Sequence, residues 1–382
     1  MTAAAPRGSE GAAARPSRVP LASIQVMRGI AALAVAIYHT HLILSQPRYG
    51  GIDLWGAVAG KGWTGVNFFF VLSGFIIPYA HHADIGRPER AGHYLMRRFT
   101  RVYPIYWVFL TGFLAAIAMG LGTLEFSWAW PNILGSYLLL QIVPVPTLPL
   151  HVAWTLFYEI FFYFMFLLLI LDRRIGSVVI GLWGAAVIGW GLILGHDTNY
   201  WYLHSWNLYF ALGALAYVGY RRWEGRSGLP FLIAGFLMLG GLLAAGLVGN
   251  HLGTVQEHPR TLLLLGPPFA LILLGAVLID RRRRWKPAAM LALPGEASYA
   301  IYLVHSPVIS ALAQANRTLT RHGHIIGHHL LYVVVALVSV ASGLIAHLLV
   351  ERPLLRGIRS ITDRRARARA SARQPEWKAS RS

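Results

Sequence analysis

A chain of 382 residues that is 56% hydrophobic and only 13% charged has too few polar side chains to cover a water-soluble surface. It has no cysteine, which excludes disulfides, thiolate metal sites and a cysteine nucleophile. Its net charge of +19 would suggest nucleic acid in a soluble domain. Basic residues also collect in cytoplasmic loops of membrane proteins, so no nucleic-acid partner is expected.

In chain order, residues 1–20 are rich in Ala, Pro and Arg, lack the apolar run of a signal peptide, and read as a disordered cytoplasmic tail. Apolar runs follow at 24–45, 63–80, 102–122, 131–145, 152–171, 175–195, 203–220, 229–249, 261–280, 296–315 and 328–350. Most have about the twenty residues a helix needs to cross hydrocarbon. They define a membrane domain over 21–355, after which 356–382 reads as a basic, disordered cytoplasmic tail.

Loop charge decides how many of the eleven runs cross. Loops 82–101, 172–174, 221–228 and 281–286 are basic, whereas 123–151 and 196–202 contain no Lys or Arg. The signs alternate only if 131–145 does not cross. Its stretch PNILGSYLLLQIVPVPTLPLH is short and ends in three prolines, which break helices. The expected architecture is an all-α polytopic membrane protein with about ten transmembrane helices, both termini cytoplasmic, and a short re-entrant or interfacial segment near 131–145. Inner tails and loops then hold 28 Lys and Arg, outer loops five.

Charge inside hydrocarbon needs a reason. Of the 15 acids, only Glu159 lies well inside an apolar run. A neutral, hydrogen-bonded Glu is the structural alternative to a functional one. Arg28 precedes His39 by eleven residues, about three turns plus 20°, so both point the same way, about 16 Å apart along the axis. His41 lies about 200° round from His39 and faces elsewhere. His39 and Glu159 fall at similar depth, where a base and a carboxylate could meet. Arg98 and Arg101, three apart, share one helix face at a cytoplasmic entrance, and guanidinium forks suit phosphate. The histidines in RHGHIIGHH (His322, His324, His328, His329) have no consistent ligand spacing, and no metal is expected.

MRGIAALAVAIYHTH, GWTGVNFFFVLSGFIIPY, RRFTRVYPIYW, WTLFYEIFFY, SYAIYLVHSPV and the late ERPL occur in that order from about 24 to 355. Together they resemble the acyltransferase-3 membrane proteins, bacterial O-acyltransferases that modify surface glycans, Nod-factor-like signals and some antibiotics. The resemblance implies that His39 is the essential histidine, Arg28 its arginine partner, and Arg98 and Arg101 the pair that helps bind acyl-CoA. It also singles out Glu159, with Trp154 and Tyr158 from its block, and Ser298, Tyr299 and His305 as supporting residues. Asn67 stands where many members carry an acid, which leaves Glu159 as the acidic partner. Some relatives add an extracytoplasmic hydrolase-like domain; here delivery without one is expected.

The implied activity is transfer of an acyl group, acetyl by default, from cytoplasmic acyl-CoA to a hydroxyl of a surface or exported carbohydrate or glycolipid. It would take place in the bacterial inner membrane. The CoA head would sit among Arg28, Arg98 and Arg101 with its arm reaching about 16 Å to His39. His39 would act as base, its imidazolium stabilised by Glu159, or as a transient acyl carrier. The alternative from another class is a proton-coupled transporter or flippase of a glycan or anionic substrate.

Overall fold

The computed structural model describes residues 21–121, 126–195, 200–249, 263–283, 287 and 289–372, and among these every regular element is helical. The first half of the chain forms α1 (Ala22–Leu44), α2 (Gly56–Ala59), α3 (Thr64–His81), α4 (Ala91–Ala118), α5 (Trp130–Leu138), α6 (Trp154–Leu171) and α7 (Arg173–Val187). The second half forms α8 (Asn207–Arg222), α9 (Leu229–Ala244), α10 (Gly266–Arg283), α11 (Ala289–Glu296), α12 (Ser298–Arg321), α13 (His328–Ala346) and α14 (Arg352–Ala372). Residues 1–20, the expected N-terminal tail, lie outside the described residues.

Six helical stretches among the described residues are long and apolar enough to cross a membrane: Ala22–Leu44, Gly56–Asp84, Pro88–Ala118, His151–Leu171, Arg173–Ile193 and His328–Thr362. The expectation was about ten. The shortfall has local causes. Helices α8 and α9 have 16 residues each, α10 closes on Arg281, Arg282 and Arg283, and α12 ends in the polar run QANRTLTR. The membrane character is nonetheless plain on the outer faces. Ile175, Val178 and Leu182 on α7, and Val333 and Leu337 on α13, are exposed at helical spacing, which water would not favour and lipid does.

The bundle is organised around α1, which packs against α3, α11, α12 and α13. Helix α3 lies in turn along α8. That seam needs glycine: a Cβ at Gly74 would collide with the Phe210 carbonyl, and one at Gly213 with the Val71 carbonyl. Bare backbones at such positions let helices approach closely enough to gain dispersion contact in lipid, where the hydrophobic effect gives no drive.

The segment read as non-crossing contains α5, nine residues long, a rise of about 14 Å and half of what hydrocarbon requires. It ends at Leu139 with φ +53°. The chain then returns, and the Ser127 amide donates to Thr147 Oγ1 at 3.0 Å. Helix α4 supplies hydrogens to the last carbonyls of α5. The Tyr106 hydroxyl donates to Ser136 O at 2.7 Å, Trp107 Nε1 to Tyr137 O at 2.9 Å, and the Tyr103 hydroxyl to Leu138 O at 2.7 Å. These three aromatic side chains of α4 thus cap a helix end.

Residues 356–372, expected as part of a disordered tail, continue as helix in α14. Ala, Arg and Leu are strong helix formers, and the preceding helix removes the cost of nucleation. Residues 373–382 lie outside the described residues.

Candidate active site

Two cross-links tie α1 to α12. Near the start of both helices, Arg28 Nη2 donates to Ser298 Oγ at 2.8 Å. Further along, the His39 and His305 rings meet with centroids 4.9 Å apart. Both links advance in the same chain direction, so the helices run parallel. The steps are unequal: eleven residues on α1 rise about 16 Å, seven on α12 about 10 Å. The Arg28 side chain takes up the difference by rising into the bundle rather than snorkelling out of it. Its guanidinium therefore lies nearer the histidines than the rise of α1 alone indicates.

Hydrogen-bond chemistry fixes the histidine tautomers. His305 Nδ1 lies 2.9 Å from Ile301 O, and His39 Nδ1 lies 3.0 Å from Val35 O. A carbonyl can only accept, so each Nδ1 carries a hydrogen. His305 Nε2, 3.2 Å from His39 Nδ1, then presents its lone pair to that same hydrogen. Among the described residues this leaves the lone pair on His39 Nε2 uncommitted. His305 is fully buried while His39 is half-buried.

Below this pair lies a cavity of about 130 Å³, bordered by Arg28, Arg98, Arg101, Glu159, Ser298 and Tyr299 among others. The fold thus gathers six of the residues singled out by sequence. Glu159 does not join His39: its hydrogen bond comes from the Tyr163 hydroxyl, one turn further along α6. Tyr163, in the same quoted block at the i+4 spacing of helix neighbours, was legible there and passed over. Glu159 and Glu351 act instead on Arg28 across the buried interior.

Between the cavity and the histidines stands Tyr302. It borders the cavity, and its ring lies 5.8 Å from that of His305. The Tyr302 hydroxyl donates to Val152 O at 2.9 Å and lies 2.8 Å from Thr155 Oγ1. This closes α12 against the turn that starts α6.

Three remaining sequence-derived residues sit elsewhere. Asn67 is buried and donates to the Tyr209 hydroxyl at 2.7 Å. Trp154 packs on Trp206, with centroids 4.7 Å apart, and Tyr158 belongs to the same aromatic cluster. Among the described residues, no group of three or more His, Cys, Asp or Glu is placed to hold a metal ion.

An all-helical membrane bundle enclosing a cavity lined by arginines and a carboxylate defines the class, an integral-membrane protein with polar chemistry held inside its helices. More specifically, the chain belongs to the acyltransferase-3 family, described as an acyltransferase domain, whose sequence profile matches residues 21–348. It is a membrane acyltransferase. It is also similar to the exopolysaccharide production protein ExoZ of Rhizobium meliloti (strain 1021). The two are 28% identical over 309 residues, covering 77% of this chain and 90% of that protein. No solved structure matches the chain.

Proposed function

We propose that this enzyme transfers an acyl group, acetyl by default, from cytoplasmic acyl-CoA to a hydroxyl of a surface or exported carbohydrate, with His39 as general base. The observation that carries this reading is the uncommitted lone pair of His39 Nε2, above a cavity bordered by three arginines. The name of the Rhizobium relative, a protein of exopolysaccharide production, supports a polysaccharide acceptor.

In the proposed step, His39 Nε2 takes the proton of the acceptor hydroxyl as its oxygen attacks the thioester carbonyl. The carbon–sulfur bond breaks, the ester forms, and the departing CoA thiolate takes the proton from the His39 imidazolium, which restores the base. His305 shares the Nδ1 hydrogen of His39 and spreads the imidazolium charge. That role had been expected of Glu159, which sits instead among the arginines as a counter-charge. The donor head lies toward Arg98 and Arg101, and its arm passes Arg28 and Tyr302.

The proposed topology has ten crossings: α8, α9, α10 and α12 join the six long spans, and both termini are cytoplasmic. The α5 segment is re-entrant from the outer side, supported by the Ser127–Thr147 closure. The proposed location is the bacterial inner membrane. Membranes holding the enzyme, given labelled acetyl-CoA and a candidate glycan, are expected to release CoA as label enters the glycan. Export or uptake of the glycan without label transfer would instead establish a transporter.

A further inference from the structure

Arg98 and Arg101 carry more structure behind them than a phosphate contact needs. An unrestrained arginine near a helix end extends its head into water and loses rotamer freedom on binding. Neither arginine is left free in that way. Arg98 Nη2 lies 3.2 Å from His81 Nε2, and His81 Nδ1 lies 2.9 Å from Asp84 Oδ2. A guanidinium has no acceptor, so His81 Nε2 accepts from Arg98 and its Nδ1 hydrogen goes to Asp84. The His81 side chain is completely buried at the end of α3.

Arg101 has the counterpart from the other side of the bundle. Its Nη1 faces Glu351 Oε1 at 3.6 Å, and Glu351 Oε2 accepts from His347 Nδ1 at 2.7 Å. Glu351 is fully buried. In both cases a carboxylate and an imidazole, three or four residues apart, stand behind one arginine.

The chemistry leaves donors to spare. A carboxylate gripping the guanidinium fork directly would occupy two N–H groups and cancel the charge. The neutral acceptor nitrogen of His81 takes one hydrogen only. Among the described residues Arg98 Nε is buried and without a hydrogen-bond partner, and at 3.6 Å Glu351 steadies Arg101 without a hydrogen bond. Stacking completes the aim, with Arg98 5.7 Å from the Tyr163 ring centre and Arg101 5.7 Å from that of Tyr299. Both rings border the cavity.

We infer that Asp84–His81 and Glu351–His347 are positioning pairs that hold Arg98 and Arg101 ready for the phosphates of the acyl donor. The inference rests on the donor being a CoA thioester. The four residues touch no reacting atom and act through the arginines.

The test compares two donors in lipid nanodiscs: acetyl-CoA and S-acetylpantetheine, which keeps the thioester arm and lacks phosphate. His81→Phe, Asp84→Leu and Glu351→Gln are expected to raise KM for acetyl-CoA about tenfold or more while changing kcat less than about twofold. KM for S-acetylpantetheine is expected to stay put. Asp84→Asn, which keeps an oxygen for the His81 hydrogen, is expected to recover most of the loss. Equal damage with both donors, or a fall confined to kcat, would show a merely structural role and overturn the inference. So would unchanged kinetics throughout.

Binding of CoA itself, followed by calorimetry, separates the two readings. If the wild-type protein binds CoA and His81→Phe does not, the pairs stand even where no transfer is seen. A wild-type protein that binds no CoA overturns both.

Discussion

His305 Nε2 lies 3.2 Å from His39 Nδ1, across 266 residues of sequence. Because His305 donates its own Nδ1 hydrogen to Ile301 O at 2.9 Å, it can only accept from His39, which directs the basic lone pair of His39 to Nε2. Loss of the proposed base is expected to be the larger effect. His39→Ala should lower kcat about 10³-fold with the protein still folded. His305→Phe fills the same space without an acceptor and is expected to lower kcat by roughly 10- to 100-fold through lost orientation. His305→Gln, whose amide oxygen can accept, should restore part of that loss. Steady-state kinetics at saturating donor decide it, and a fully active His305→Phe would remove His305 from the mechanism.

Glu159 is expected to matter first as a counter-charge. Among the described residues Arg28 has only a neutral hydroxyl, Ser298 Oγ, as hydrogen-bond partner, and with Arg101 nearby its charge is offset by Glu159 and Glu351 at longer range. Glu159→Leu removes one of these and also strands the Tyr163 hydroxyl that donates to it. A cost of about 3 kcal/mol is expected, read as a clearly lowered melting temperature in detergent. Glu159→Gln keeps an acceptor for Tyr163 and should cost less. Equal melting of both variants and wild type would mean that the arginine cluster needs no such balance.

What could be read from sequence divides along a physical line. Helix periodicity put Arg28 and His39 on one face, and both do turn toward α12. Loop charge set aside the segment that contains the nine-residue α5. Both inferences needed only local geometry. Contacts between helices were not available, because a helix face does not name its partner. The pairing of His39 with His305 rather than Glu159, and the upward reach of Arg28 to Ser298, depend on the register of α1 against α12. His81 with Asp84 and His347 with Glu351 are local pairs at i+3 and i+4. They were passed over because each looks like an ordinary residue near a helix end until an arginine from α4 arrives beside it.

The α3–α8 seam predicts opposite outcomes for chemically identical changes. Gly74→Ala would drive a methyl group into the Phe210 carbonyl, and Gly213→Ala into that of Val71. Either is expected to force the helices apart and lower the melting temperature by several degrees, as overpacking costs about 1–3 kcal/mol. Gly112→Ala, at a helical glycine with open space around it, should instead be neutral or stabilise by up to about 1 kcal/mol through helix propensity. If all three behaved alike, the close approach of α3 and α8 would be refuted.

The absence of native cysteine makes the proposed re-entrant segment directly testable. Ser127 and Thr147 stand at the two ends of the excursion and are joined by a 3.0 Å hydrogen bond, so both must lie on one side of the membrane. Ser127→Cys and Thr147→Cys, each the sole thiol in its chain, are expected to react with a membrane-impermeant maleimide added outside intact cells. If 131–145 crossed, the two positions would label from opposite sides. The excursion also depends on its caps. Tyr106 is fully buried and its hydroxyl donates to Ser136 O at 2.7 Å, so Tyr106→Phe leaves that carbonyl only the long 3.4 Å bond from the Leu139 amide, at a cost of about 1 kcal/mol. Lost capping should loosen the turn at Leu139, and the measurable consequence is faster labelling of Leu140→Cys in the Tyr106→Phe background than in the wild-type one.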